Sequence, residues 1–202
     1  MKVVTRSLIG FLCLVPCAGA GSVTGKTVGW PPGEHGELRP GVVWLEGGDP
    51  GTVPAPRPIM AQRGGQFVPS FLVVVVGQTV EMPNLDEVAH NMYSYSPAKT
   101  FNLGFYAKGQ NRSVTFDRPG LVEVACSIHN FMRGKIVVVP NAFYATLARD
   151  GSFRIANVPA GRYTLNFWGD GLGSFRRVVA VPAEGEVRVD FPVAVLAHAR
   201  QK

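Results

Sequence analysis

The sequence predicts an all-β fold assembled from β-sandwiches, and three observations carry that reading. Twenty-four glycines and sixteen prolines in 202 residues supply turn formers in quantity. Between them lie short Val-rich runs that alternate or stay apolar over a few residues, which is strand behaviour. No long stretch sets apolar residues at helical spacing.

The chain opens with Met1-Lys2 and Arg6, an apolar segment from Ser7 to Val15, and an A-x-A sequence at Ala18-Gly19-Ala20. That pattern is a secretory signal peptide over residues 1–20, too short for a membrane anchor, and it implies a periplasmic protein. A lipoprotein would retain Cys17, but Pro16 beside it makes a poor lipidation signal. No other stretch approaches the roughly 20 apolar residues that span a bilayer. Removal of the leader takes Cys13 and Cys17 with it and leaves Cys126 as the sole cysteine. It also removes Lys2 and Arg6, leaving eighteen basic residues against fourteen acidic ones, a balance of +4. These charges are scattered, without a basic run or an aromatic set beside one, which argues against nucleic-acid binding. What remains is a mild bias toward anionic partners.

Residues 21–48 read as two strands, Ser22–Val28 and Gly41–Glu46, around a Gly/Pro-rich connection in which His35 is a solvated loop residue. Residues 47–58 are loop. A run of strands follows: Ile59–Arg63, Phe71–Val76, Gln78–Met82, His90–Ser94, Ser113–Asp117, Leu121–Ala125 and Gly134–Val139. Phe71–Val76 is apolar on both faces, as in the middle of a sandwich core. Beyond Pro140, Asp150-Gly151 predicts a hairpin turn between Ala145–Ala148 and Ser152–Ile155. Arg162–Trp168, Phe175–Val181 and Glu186–Val193 complete the set, before a frayed tail from Leu196 that holds His198. Trp30, Trp44 and Trp168 read as core or inter-domain packing.

The stretch Cys126-Ser127-Ile128-His129-Asn130-Phe131-Met132 places a thiol, an imidazole and a thioether with two residues between each pair. A free cysteine is usually an inert core residue. Here an unpaired thiol in an exported protein is at risk of oxidation, and metal ligation would protect it. A Cys and a His from one tight loop, a second His from elsewhere and a weak axial Met form the ligand set of a blue-copper centre. His90 is the second imidazole on offer, at the start of a strand after the turn-rich segment 83–89. The soft sulfur ligands favour Cu(I) and the imidazoles also suit Cu(II), so one copper per chain, cycling between the two states, is the expected cofactor. The alternatives fare less well. Ala125 and Ser127 flank Cys126 where a multicopper oxidase would carry His, a binuclear copper site would need a second Cys, and Met is an unusual zinc ligand. No paired carboxylates or nucleophile–base arrangement stands out, so no enzyme is expected.

With those residues placed, 55–139 resembles a cupredoxin of the plastocyanin and amicyanin kind, a Greek-key β-sandwich. Phe67-Val68-Pro69, Val74–Val80, Pro83-Asn84 with Asp86, and His90-Asn91 follow that family's usual order, and C-x2-H-x2-M matches the short ligand loop of amicyanin. The resemblance implies His90, Cys126, His129 and Met132 as copper ligands. It also implies Asn91 as the residue that ties the two ligand loops together, and His129 as the electron's exit within an apolar patch. Phe131 and Met92 are candidates for that rim, Met92 being equally well explained as core. Ser127, Ile128 and Asn130 stand where amicyanin carries prolines. A looser loop is therefore expected, from which His129 could leave Cu(I) and take a proton at mildly acidic pH.

The wider arrangement resembles bacterial plastocyanin-like proteins of methylamine utilisation. Asp150-Gly151-Ser152-Phe153 with Val158–Leu165 is similar to a carboxypeptidase-regulatory-like (transthyretin-like) β-sandwich, placed at 140–197. Residues 21–48 fit that family's opening strands, so a discontinuous second domain is expected, with the cupredoxin inserted into it. The function implied is one-electron transfer with a redox partner protein, a c-type cytochrome or periplasmic dehydrogenase. Copper delivery or storage, or a non-redox binding module, stand as alternatives.

Overall fold

The structure is a computed structural model that describes residues 19–31, 39–48 and 57–192. Residues 1–18 of the leader 1–20, His35, the Pro-rich segment 49–56 and the tail with His198 lie outside the described residues. Sixteen strands and no helix are found among them. In chain order these are β1 (Ala20–Lys26), β2 (Gly41–Glu46), β3 (Ala61–Arg63), β4 (Gln66–Val68), β5 (Phe71–Val75) and β6 (Thr79–Pro83). Then come β7 (His90–Ser96), β8 (Lys99–Tyr106), β9 (Asn111–Thr115), β10 (Gly120–Ala125) and β11 (Arg133–Val139). The last five are β12 (Tyr144–Thr146), β13 (Ser152–Pro159), β14 (Gly161–Gly169), β15 (Gly173–Val181) and β16 (Glu186–Arg188).

Strands β5-β11-β10-β7-β8 form a five-stranded sheet, with β5 and β11 parallel. Across from it lie the pairs β6–β9 and β3–β4, linked by bridges from Ile59 to Glu81 and from Gln62 to Asn84. Their alternating inward residues make one core, with Met60, Phe67, Val74, Val80, Met82, Met92, Phe116, Val122, Val124 and Ile136 all buried. Burial of Met92 in this core removes it from the rim of the metal site.

The other two sheets join residues far apart in sequence. The order β13-β1-β16 makes one sheet and β12-β2-β14-β15 the other. Val23 of β1 and Val43 and Leu45 of β2 share a core with Phe153, Leu165, Phe167, Val179 and Phe191. Trp30 packs against that core, edge-on to Phe167 at 5.9 Å between centroids.

Several strand expectations shift. Phe71–Val76 shortens to Phe71–Val75, the edge strand of its sheet, and it is apolar on both faces for a physical reason. Val74 faces the inner core, whereas Phe71, Val73 and Val75 face the second pair of sheets. There they meet Val42, Trp44, Val137, Val139, Tyr144 and Trp168. Phe71 stacks on Trp168, centroids 5.6 Å apart and planes 15° from parallel. At the margin Lys135 pairs with Asp170, whose backbone oxygen accepts from Arg39 at 2.7 Å. The Asp150-Gly151 turn forms, closed by Ala148 and Ser152 backbone bonds, but its two arms enter different sheets and build no hairpin ladder. Strand β8 is absent from the sequence-based expectation: Gly104, at φ +66°, sits where the β7–β8 register slips and hides the alternation of Phe101, Leu103 and Phe105. Ile59–Arg63 and Glu186–Val193 shorten to Ala61–Arg63 and Glu186–Arg188.

The contact between the two pairs of sheets is apolar and aromatic, so truncating it should cost stability. Trp168→Ala is expected to lose about 2 kcal/mol, below the full core value because the indole is half-buried. Urea unfolding measures this, and an unchanged midpoint would show that the contact contributes little.

Candidate metal centre

Cys126 stands immediately after β10, His129 and Met132 follow in the turn into β11, and His90 opens β7, the neighbour of β10. The loop closes on itself: Met132 N donates to His129 O at 2.9 Å and Cys126 N to Met132 O at 3.2 Å. Arg133 Nε donates to Asn130 O at 3.0 Å. Asn91 Oδ1 accepts from both Ser127 N at 2.8 Å and Ser127 Oγ at 3.1 Å, joining the Cys loop to the strand that carries His90. The Phe131 ring lies 5.6 Å from that of His129. The loop lacks the expected prolines, but these ties restrain it.

His90 Nδ1 lies 3.0 Å from His129 Nδ1, and Cys126 Sγ lies 3.8 Å from His129 Nδ1. The ligand atoms of the three residues all fall within 4.8 Å of one another. Nitrogen and sulfur atoms bonded at about 2.0–2.3 Å to one trigonal ion would stand roughly 3.4–3.8 Å apart, so this cluster is of the right size to share a metal. Met132 is fully buried in the same core cluster as Cys126, next in line to supply a thioether. The donor set, two imidazoles and a thiolate beside a thioether, fits a type 1 copper centre.

Asp86, part of the family pattern in the sequence, is given no role at the site there. Asp86 Oδ2 lies 3.0 Å from His90 Nε2, and its carboxylate also accepts from Gly64 N at 2.6 Å and Gly65 N at 2.9 Å. Burial pushes its carboxyl up, but the N–H groups of Gly65 and Gly64 and the His90 ring outweigh that and hold it below the usual range. An ionised carboxylate at Nε2 keeps the His90 proton there and leaves the Nδ1 lone pair for a metal. Gly64 and Gly65 have φ of +61° and +68°, the left-handed pair that a two-residue hairpin between β3 and β4 requires. Their amides thereby point at a carboxylate more than twenty residues away in sequence. Asp86 four residues before His90 is a local signal; the Gly-Gly contact is not. Beneath His90, its ladder partner Tyr106 donates to Met82 O at 2.8 Å and is bonded by Gln62, with burial pushing the phenol's pKa up.

Residues 60–139 match the plastocyanin/azurin family of copper-binding proteins. With that match and the His-Cys-His cluster, residues 60–139 are a cupredoxin-like part of the chain. Solved structures similar to it include the Cu(I) form of a single-site amicyanin variant, 25% identical over 48% of this chain and 98% of that one, at a TM-score of 0.40. A purple cupredoxin from Nitrosopumilus maritimus is 26% identical over 41% of this chain and 99% of its own, at a TM-score of 0.37. A copper-containing nitrite reductase from Thermus scotoductus SA-01 is 27% identical over 45% of this chain, at a TM-score of 0.40, and only 25% of its length is spanned. No curated protein sequence matches the chain significantly.

If Asp86 orients His90, Asp86→Ala should weaken copper binding roughly tenfold or more. Asp86→Asn, which keeps one acceptor oxygen, should lose less. Competition titration against a chelator of known affinity measures both, and equal affinity in all three proteins would remove Asp86 from the site.

Proposed function

We propose that the protein is a periplasmic carrier of single electrons between redox partner proteins, and not an enzyme. The observation that carries this reading is an asymmetry of exposure. His90 and Cys126 are buried, whereas His129 is half-buried and reaches the surface beside exposed Phe131 and Ile128. Copper held by these residues would supply one-electron chemistry, because the sulfur ligands suit Cu(I) and the imidazoles both oxidation states. Cys126 would bind as thiolate, sealed from water and from oxidants by its burial. His90, fixed by Asp86, would hold one side of the site, with Met132 offering its thioether as a weak further ligand. His129 offers the edge through which an electron passes. Brief encounters suit such a surface, and redox interfaces are small, under about 1,200 Å² in total.

Ala125 and Ser127 beside Cys126 offer no imidazole through which a further copper cluster could be reached. Export is supported by the leader pattern and by a mature chain with one cysteine, in keeping with an oxidising compartment where that thiol needs a ligand. Among the described residues no helix is long and apolar enough to cross a membrane. The partner belongs to the class of c-type cytochromes or periplasmic dehydrogenases.

A visible absorption spectrum during Cu(II) titration tests this directly. The parent protein should develop an intense blue band that Cys126→Ser lacks, and the band should bleach and return through reduction and reoxidation. Weak copper binding with no band would move the assignment to copper delivery or to a metal-free binding module.

A further inference from the structure

The electron-carrier reading leaves the nature of the partner open, and the charges around His129 speak to it. The apolar part of this surface comes from the two loops that hold the histidines. Leu85 and Val88 are 39% and 55% exposed on one, Ile128 and Phe131 56% and 69% on the other. Phe131 also lies against the tip of the β3–β4 hairpin, where a Cβ on Gly65 would stand 3.5 Å from its ring. Three segments therefore converge around the imidazole edge.

The acidic groups of these segments are already engaged. Asp86 accepts from Gly64, Gly65 and His90. Glu87 is paired with Lys108. The basic groups carry no carboxylate partner. Arg63, one residue before the hairpin glycines, and Arg133, one residue after Met132, are both exposed. Neither has a carboxylate within ion-pairing distance among the described residues. Arg133 is pinned to the ligand loop by its bond to Asn130 O, which holds its charge at the site rather than letting it swing away. Glu123 is the diagonal neighbour of Arg133 on the same face of the β10–β11 ladder, lining a cleft with it, but no ion pair joins the two.

We propose that this surface receives an acidic redox protein, one whose contact face sets carboxylates beside an apolar spot. The apolar loops supply the desolvated centre, and Arg63 and Arg133 supply the guanidinium forks that match carboxylates at the rim. Unpaired like charges at a docking site steer encounter and reject partners of the same sign. The inference rests on the electron-carrier reading for its purpose, but its charge preference can be measured without electron transfer.

The probe is the redox-inert trianion hexacyanochromate(III), compared with the hexaamminechromium(III) cation, added to the full-length mature protein in its reduced and its copper-free forms. Amide relaxation in the NMR spectrum should broaden with the anion at residues 63–65 and 127–133 and not with the cation. Arg63→Gln with Arg133→Gln should abolish that pattern. Stopped-flow oxidation gives a second readout. One electron passes from the reduced protein to hexacyanoferrate(III), giving hexacyanoferrate(II), with no bond or proton change. At low ionic strength the double variant should be slowed about threefold or more, whereas tris(phenanthroline)cobalt(III), a cation, should oxidise it faster than the parent. Both differences should shrink toward physiological salt. Equal broadening by the two complexes, or broadening centred elsewhere, would overturn the proposal. Failure of the copper-loaded protein to exchange electrons with either oxidant would instead overturn the carrier reading, with the broadening still deciding the surface.

Discussion

Strands β5 and β11 carry apolar side chains on both faces, and each face meets a different sheet. Inwardly, Val74, Ile136 and Val138 complete the core that supports the metal site. Outwardly, Val75, Val137 and Val139 meet Val42 and the indoles of Trp44 and Trp168. Exposed to water, that outer face would be a sizeable apolar patch of the kind that promotes association. Covered, it joins the metal-bearing sandwich to its neighbour over an area that includes a stacked aromatic pair. Arg133 and Lys135, on the outer side of β11, continue the same face beyond the covered region toward the ligand loop.

The site follows from the way that core ends. Strands β7 and β10 are neighbours, so His90 and the Cys126 loop emerge side by side at one end of the sheet. Cross-loop bonds then set the side chains: Asn91 to Ser127, and Asp86 to both His90 and the hairpin glycines. Groups that could otherwise compete as ligands or admit water are thereby occupied. Outer partners of this kind orient ligands before a metal arrives.

The sequence spoke most clearly where information is local. Cys126, His129 and Met132 share one loop, so their spacing alone suggested a common site. Turn chemistry marked most strand boundaries to within a residue or two. Information carried by pairing was harder to read. Strand β8 needed the slipped register at Gly104 to make sense of its alternation. The run Phe71–Val76 read as doubly apolar, and only the second pair of sheets shows what covers the outer face of this edge strand. At Asp150-Gly151 the turn signal was sound, but no local feature tells whether the arms pair or part. The contacts of Asp86 with Gly64 and Gly65 join segments more than twenty residues apart, and no spacing rule reaches them.

The ladders between β1 and β13 and between β2 and β14 also constrain the order of events during folding. Val23 pairs with Ile155 and Glu46 with Thr164, so these sheets cannot begin to zip until more than a hundred intervening residues have been made. The intervening sandwich, by contrast, is continuous in sequence and can collapse first. Once it has, Pro58 and Asn141 stand at its borders, and the long loop between β2 and β14 is replaced by a short, closed one. Loop-closure entropy depends on the length that remains flexible, so prior collapse of the intervening sandwich would lower the cost of closing the sheets that flank it.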